Sequence, residues 1–268
     1  MLTPRLVVIT YFSGRKGGTG KSTLAANQAI ALSMALKTNV VLMDFGMDST
    51  QTSSQLLGIN PERPGMLDHM LGLVKDVNQV LVRSNLVPSV FVIPPGTPKT
   101  WDLWDQPINV NQAFNALRNL IITASRITNA QVVLIDLPAS TEVITMLALL
   151  NSNIINLVMD YASYAIPVLS EIDNIIRSMM NQNKLNPIVN VVLNNWLPSL
   201  DAVESRARAF VHGGELFVLP SSPIVRHLTV SLKPLILYEP KGSLERFIKE
   251  FNNMTKALAE QVRKLLGF

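Results

Sequence analysis

The run Ser13-Gly14-Arg15-Lys16-Gly17-Gly18-Thr19-Gly20-Lys21-Ser22-Thr23 constrains this chain more than any other part of it. The apolar segment Leu6–Phe12 before it predicts a buried strand, and the spacing after it predicts a helix over Ser22–Leu36. A strand, a glycine-rich loop and Gly-Lys-Ser at a helix start together make a cradle for a polyphosphate. Glycines let backbone N–H groups turn inward around phosphate oxygens, where a Cβ would obstruct them. The helix start adds its unpaired N–H groups and positive dipole end. In this pattern Gly17, Gly18, Thr19, Gly20, Lys21, Ser22 and Thr23 line the phosphates. Lys21 supplies a point charge, and the Ser22 hydroxyl suits Mg²⁺.

The loop departs from the pattern G-x-x-x-x-G-K-S/T, because Arg15 stands where the first glycine belongs and a second lysine, Lys16, follows it. In these residues the chain resembles the ParA/MinD family, whose deviant Walker A loop reads K-G-G-x-G-K-S/T. Lys16, Gly17, Gly18, Gly20, Lys21 and Ser22 meet every fixed position. The resemblance implies an ATPase that takes ATP and Mg²⁺ as cofactors and forms a homodimer on ATP. It also implies that Lys16 reaches across the dimer to the partner's nucleotide.

Composition narrows the classes without choosing among them. The chain has 268 residues and is 48% hydrophobic, enough for one sizeable core, so residues 1–268 are read as a single P-loop domain. It has no cysteine, which excludes disulfides, thiolate metal sites, cysteine nucleophiles and cysteine-held iron–sulfur clusters. Leu6–Phe12 is too short for a secretory leader and runs into the phosphate loop. No apolar stretch reaches the ~18–20 residues that cross a bilayer, so a cytoplasmic protein is expected. The net charge is +4, and from residue 201 onward there are 10 Lys/Arg against 7 Asp/Glu. That balance permits contact with phosphate backbones or anionic lipid, and fits an ordinary mixed-charge surface equally well.

Apolar runs alternate with helical patterns almost to the end. The runs predict strands over Leu6–Phe12, Asn39–Asp44, Val90–Ile93, Gln131–Ile135, Ile154–Met159, Ile188–Leu193 and Leu216–Leu219. Helices are predicted over Ser22–Leu36, Val110–Ile127, Glu142–Leu150, Ala165–Asn181, Leu200–Ala209 and Ser243–Leu266. This is an α/β chain: a mostly parallel central sheet of about seven or eight strands with helices on both faces. Ligands in such sheets bind beyond the carboxyl ends of the strands. The proline-rich stretch around 60–107 breaks the pattern and reads as an irregular surface insertion.

Several further residues fall at those strand ends. Asp44 closes the second strand. The ParA/MinD family has an Asp here and usually a second acid two residues on, which helps position the attacking water. In this chain Gly46 holds that second position and Asp48 is the next acid. Either Asp48 has taken the role through a shifted loop or hydrolysis is impaired; Asp48 also suits the cap of a helix beginning near Thr50. An acid restored at Gly46 is expected to raise the rate. Val132-Val133-Leu134-Ile135-Asp136 has the Walker B form, in which Asp136 holds Mg²⁺ with Ser22, and Leu137-Pro138-Ala139 resembles the family's switch II. By the same resemblance Asn194 reads adenine and Pro220 packs on the base, although Asn194 also suits a plain turn.

Three functions are compatible with these residues. The favoured one is a ParA/Soj-like partition ATPase whose ATP dimer binds DNA without sequence preference, with a centromere-binding ParB-like partner and a nucleoid-associated location. Arg126, Arg206, Arg208 and Arg226 are its candidate DNA contacts. The second is a MinD-like ATPase with a membrane-binding C-terminal helix. However, the stripe Leu244, Phe247, Phe251, Met254, Leu258, Val262 and Leu265 fits packing on the sheet better. The third, motivated by Gly46, is a weakly catalytic ATP-binding scaffold.

Overall fold

The computed structural model describes residues 6–46, 52–60, 63–104, 109–160, 165–183, 185–197 and 201–268. Among them, eight strands form one sheet. They are Val7–Phe12 (β1), Asn39–Asp44 (β2), Val82–Arg83 (β3), Val90–Ile93 (β4), Ala130–Asp136 (β5), Ile154–Asp160 (β6), Ile188–Trp196 (β7) and Gly213–Pro220 (β8). Their spatial order is β3-β4-β2-β5-β1-β6-β7-β8. All pairs are parallel except β3–β4. The strand order reverses around β1, which lies between β5 and β6, so the loop leaving β1 opens at the crevice where such sheets take ligands.

Ten helices surround the sheet among the described residues. They are Lys21–Leu36 (α1), Thr52–Leu56 (α2), Met66–Met70 (α3), Pro98–Trp104 (α4), Val110–Thr128 (α5), Val143–Leu150 (α6), Ala165–Asn183 (α7), Asp201–Ala207 (α8), Pro223–Val230 (α9) and Ser243–Leu266 (α10). One apolar layer joins the sheet to α1 and α10; the other joins it to α5, α6 and α7. The central strands are buried along nearly their whole length, which is why they read as unbroken Val/Ile/Leu runs. Helix α1 is lined with small residues and buried almost throughout, so α10 can lie directly against it. Helix α10 buries Leu244, Phe247, Phe251, Met254, Leu258 and Val262 on that side. No described helix is long and apolar enough to cross a membrane.

The described part of the 60–107 stretch is joined to the sheet and core instead of lying over them. Strands β3 and β4 extend the sheet beyond β2, and Met66, Leu67, Val77 and Val80 are buried. Its prolines supply carbonyls in place of periodic pairing: the Met66 N–H donates to Pro94 O at 2.8 Å and the Leu67 N–H to Pro95 O at 3.0 Å. Helix α8 ends at Ala207 and tightens into a 3₁₀ turn over Arg208–Phe210.

Candidate functional site

The loop between β1 and α1 is folded around Lys21. That residue is only 7% exposed, and its Nζ donates to Ser13 Oγ at 2.8 Å and, at the long limit, to Lys16 O at 3.5 Å. Ser13 Oγ in turn donates to Lys16 O at 2.6 Å, and the Lys16 N–H donates to Ser13 O at 3.2 Å. The backbone of Lys16 is therefore pinned while its side chain is exposed, with no hydrogen bond or ion pair among the described residues.

Gly18 and Gly20 take left-handed backbone angles, φ 74° and 91°. At Gly18 a Cβ would point into open space; at Gly20 it would lie 2.2 Å from Asn194 Nδ2. Gly20 precedes α1 as its N-cap and, having no side chain, caps none of that end's N–H groups, and the first turn carries no acid. By contrast, α5 is capped by Asn109 and α9 by Ser222. The hydroxyl of buried Thr19 likewise finds no partner among the described residues.

Two carboxylates stand side by side below this loop, since Asp44 and Asp136 are register partners at the ends of β2 and β5. Both are buried, but they are used differently. Asp44 is saturated by its own chain: Oδ1 accepts from the Gly46 N–H at 2.9 Å, and Oδ2 accepts from the Ser54 N–H at 3.0 Å and the Ser54 hydroxyl at 2.7 Å. Asp136 keeps a buried Oδ1 with no hydrogen-bond partner among the described residues. Burial raises the Asp136 carboxyl to about 7, with Asp44's charge adding to the rise and Lys21, Ser22 and Ser53 opposing it. Asp44 is also raised, chiefly by burial, against its hydrogen bonds from Ser54 and Gly46. An orphaned carboxylate oxygen beside a serine hydroxyl and beneath open N–H groups fits a Mg²⁺–polyphosphate: Asp136 and Ser22 would hold the cation, and the loop and Lys21 the phosphates.

A cavity of about 500 Å³ runs from this end to the ends of β7 and β8. Gly17 to Thr23, Asp44, Gly46, Asp136, Asn194 and Pro220 all line it, so the structure brings together the residues that the sequence singled out. Lys16 stands outside at the loop's exposed edge, and Asp48 lies outside the described residues. Asn194 Nδ2 donates to Thr19 O at 2.9 Å, tying the end of β7 to the phosphate loop. Sequence reasoning missed the Ser54 support of Asp44, because α2 is too short to show a helical period. It also missed α9, whose Val225, Arg226, Thr229 and Val230 line the far end of the cavity. Ser222 followed by Pro223, an N-cap and a first-turn proline, was the available signal.

A family model described as AAA domain matches residues 7–191. The chain belongs to this family, and its fold is that of the ParA/MinD proteins. An uncharacterized ATP-binding protein of Methanocaldococcus jannaschii is 25% identical over 256 residues, 93% of this chain and 88% of that protein. A putative plasmid partition protein from Borrelia burgdorferi, solved bound to AMPPNP, superposes with a TM-score of 0.74 at 17% identity, covering 95% of this chain and 99% of that one. The septum site-determining protein MinD from Pyrococcus horikoshii, solved with Mg-ADP, gives a TM-score of 0.69 at 21% identity over 95% and 97% of the two chains. These structures share the ParA/MinD fold described here.

Proposed function

We propose that residues 1–268 act as one ATP-driven positioning switch. The chain binds Mg-ATP, dimerises on it, hydrolyses it slowly, and as the ATP dimer holds DNA without regard to sequence, in the cytoplasm at the nucleoid. The observation that carries this reading is the division of labour between the two loop lysines. Lys21 is turned inward onto Ser13 at the phosphate end of the cavity. Lys16, with its backbone pinned and its ammonium exposed, pairs with no acid among the described residues. Such a cation suits a phosphate supplied by a second copy of the chain. Slow turnover follows from Gly46, which lines the cavity without offering an acid to orient water.

The partition reading is supported by the likeness to a plasmid partition protein and by the exposed Arg206 and Arg208. The membrane reading loses support from α10, whose apolar stripe from Leu244 to Val262 is spent on α1 and β8, with only its last member, Leu265, exposed. The test is nucleotide binding together with sedimentation. Lys21→Ala should lose Mg-ATP binding or turnover. Lys16→Ala should bind Mg-ATP as the parent does and stay monomeric. Unchanged affinity and turnover in Lys21→Ala would refute the site, and dimerisation of Lys16→Ala would refute the cross-subunit role.

A further inference from the structure

Beyond Asn194 the cavity continues between Pro220 and α9, and there it holds a cation with no partner of opposite charge. Arg226 lines this end, and among the described residues no carboxylate lies within ion-pair distance of it. Its Nη2 donates to Asn195 Oδ1 at 3.1 Å, and the Ser221 hydroxyl donates to the same oxygen at 2.7 Å. Asn195 sits at φ 55°, a left-handed angle that asparagine tolerates better than most side chains. A neutral amide anchored on β7 thus fixes the position of an exposed guanidinium on α9 without cancelling its charge. Beside it Val230 also lines the cavity yet is 84% exposed, an apolar side chain with nothing of its own chain over it. A planar cation next to an uncovered apolar wall is a surface for a flat aromatic ring.

We propose that Arg226 is a nucleoside-binding residue, whose guanidinium, held in place by Asn195, stacks on the base of the bound nucleotide. The inference rests on the Mg-ATP reading of the same cavity: with phosphates at the α1 end, the rest of an extended nucleotide reaches α9. It also moves Arg226 from the candidate DNA contacts to the nucleotide site. Asn195 is the positioning residue, acting only through Arg226.

Two ligands separate this role from its rivals: Mg-ATP, and inorganic tripolyphosphate with Mg²⁺, which has the phosphates but no base. Arg226→Ala should weaken Mg-ATP binding about five- to tenfold, as removal of a partly desolvated cation–π interaction does, and leave tripolyphosphate binding unchanged. Arg226→Lys should not restore the affinity, because an ammonium has no plane to stack. Asn195→Gly keeps the left-handed backbone and deletes the anchoring oxygen, so a smaller loss for Mg-ATP alone is expected. Equal weakening for both ligands would make Arg226 a phosphate contact and overturn the proposal. Unchanged Mg-ATP affinity with abolished DNA binding would overturn it in favour of a DNA contact. Wild-type protein that binds neither ligand would instead refute the polyphosphate site itself.

Discussion

Gly46 acquires a second meaning from its place beside Asp44. From sequence it marks a missing acid, and restoring one is expected to speed hydrolysis. In the structure its N–H donates to Asp44 Oδ1, and a Cβ there would lie 3.1 Å from that same oxygen. Asp44 cannot easily give way, because Ser54 holds its other oxygen twice. An added carboxylate would also raise the cost of keeping Asp44 and Asp136 ionised. Gly46→Asp should therefore lower stability by about 1–3 kcal/mol, several degrees in Tm, without accelerating turnover. A faster and equally stable variant would contradict this. Asp136 makes a separate prediction, on pH. Its carboxyl is raised from 3.8 to about 7, so between those values the folded chain binds more protons than the unfolded one. Stability of the nucleotide-free protein should then fall as pH rises from about 4 to about 7, by up to about 1.4 kcal/mol per pH unit, and level off above. Because Asp44 is raised in the same direction and titrates with it, Asp136→Asn should flatten this slope without removing it. Thermal denaturation across that range, without Mg²⁺ or nucleotide, is the check.

The legible elements are those that carry their own apolar pattern. Strands Asn39–Asp44 and Val90–Ile93 and the helix Ser243–Leu266 are legible to the residue, because burial on both faces or along one stripe writes itself into the sequence. The elements that escape, α3, α4, α9 and β3, run from two to eight residues. They are fixed from outside, by contacts such as Met66 N–H on Pro94 O, which no local pattern encodes. The site divides the same way. The phosphate loop is contiguous and readable, whereas Ser54 beneath Asp44 and Asn195 beside Arg226 meet their partners only through the sheet. Helix α10 bears directly on function, since a membrane-seeking helix must be able to leave and α10 is built into the core. Leu258 is fully buried there among α1 and sheet residues. Leu258→Ala should cost about 2–5 kcal/mol of stability in chemical denaturation. A loss well below about 1 kcal/mol would mean that α10 is loosely held, and would reopen the membrane reading.

On the scale of the whole molecule, the proposed function turns on what the proposed ATP dimer would present to its surroundings. The net charge of +4 is small for one copy, but such a dimer would double it on a single particle. The α8 end contributes Arg206 and Arg208, both exposed and outside the nucleotide cavity. Cations so placed neutralise backbone phosphates and release condensed counterions, which makes binding insensitive to sequence and steeply dependent on salt. The ATP form should therefore retain any duplex at low salt and release it as salt rises, while the ADP form and Lys16→Ala should bind weakly throughout. Charge reversal at Arg206 or Arg208 should weaken every duplex alike and reduce the slope of log affinity against log salt by about 1 for each phosphate no longer neutralised. Fluorescence anisotropy with unrelated duplexes across a salt series measures both quantities. Sequence-dependent binding, a slope indifferent to these arginines, or retention on anionic vesicles in place of DNA would each refute the partition-type surface while leaving the nucleotide site intact.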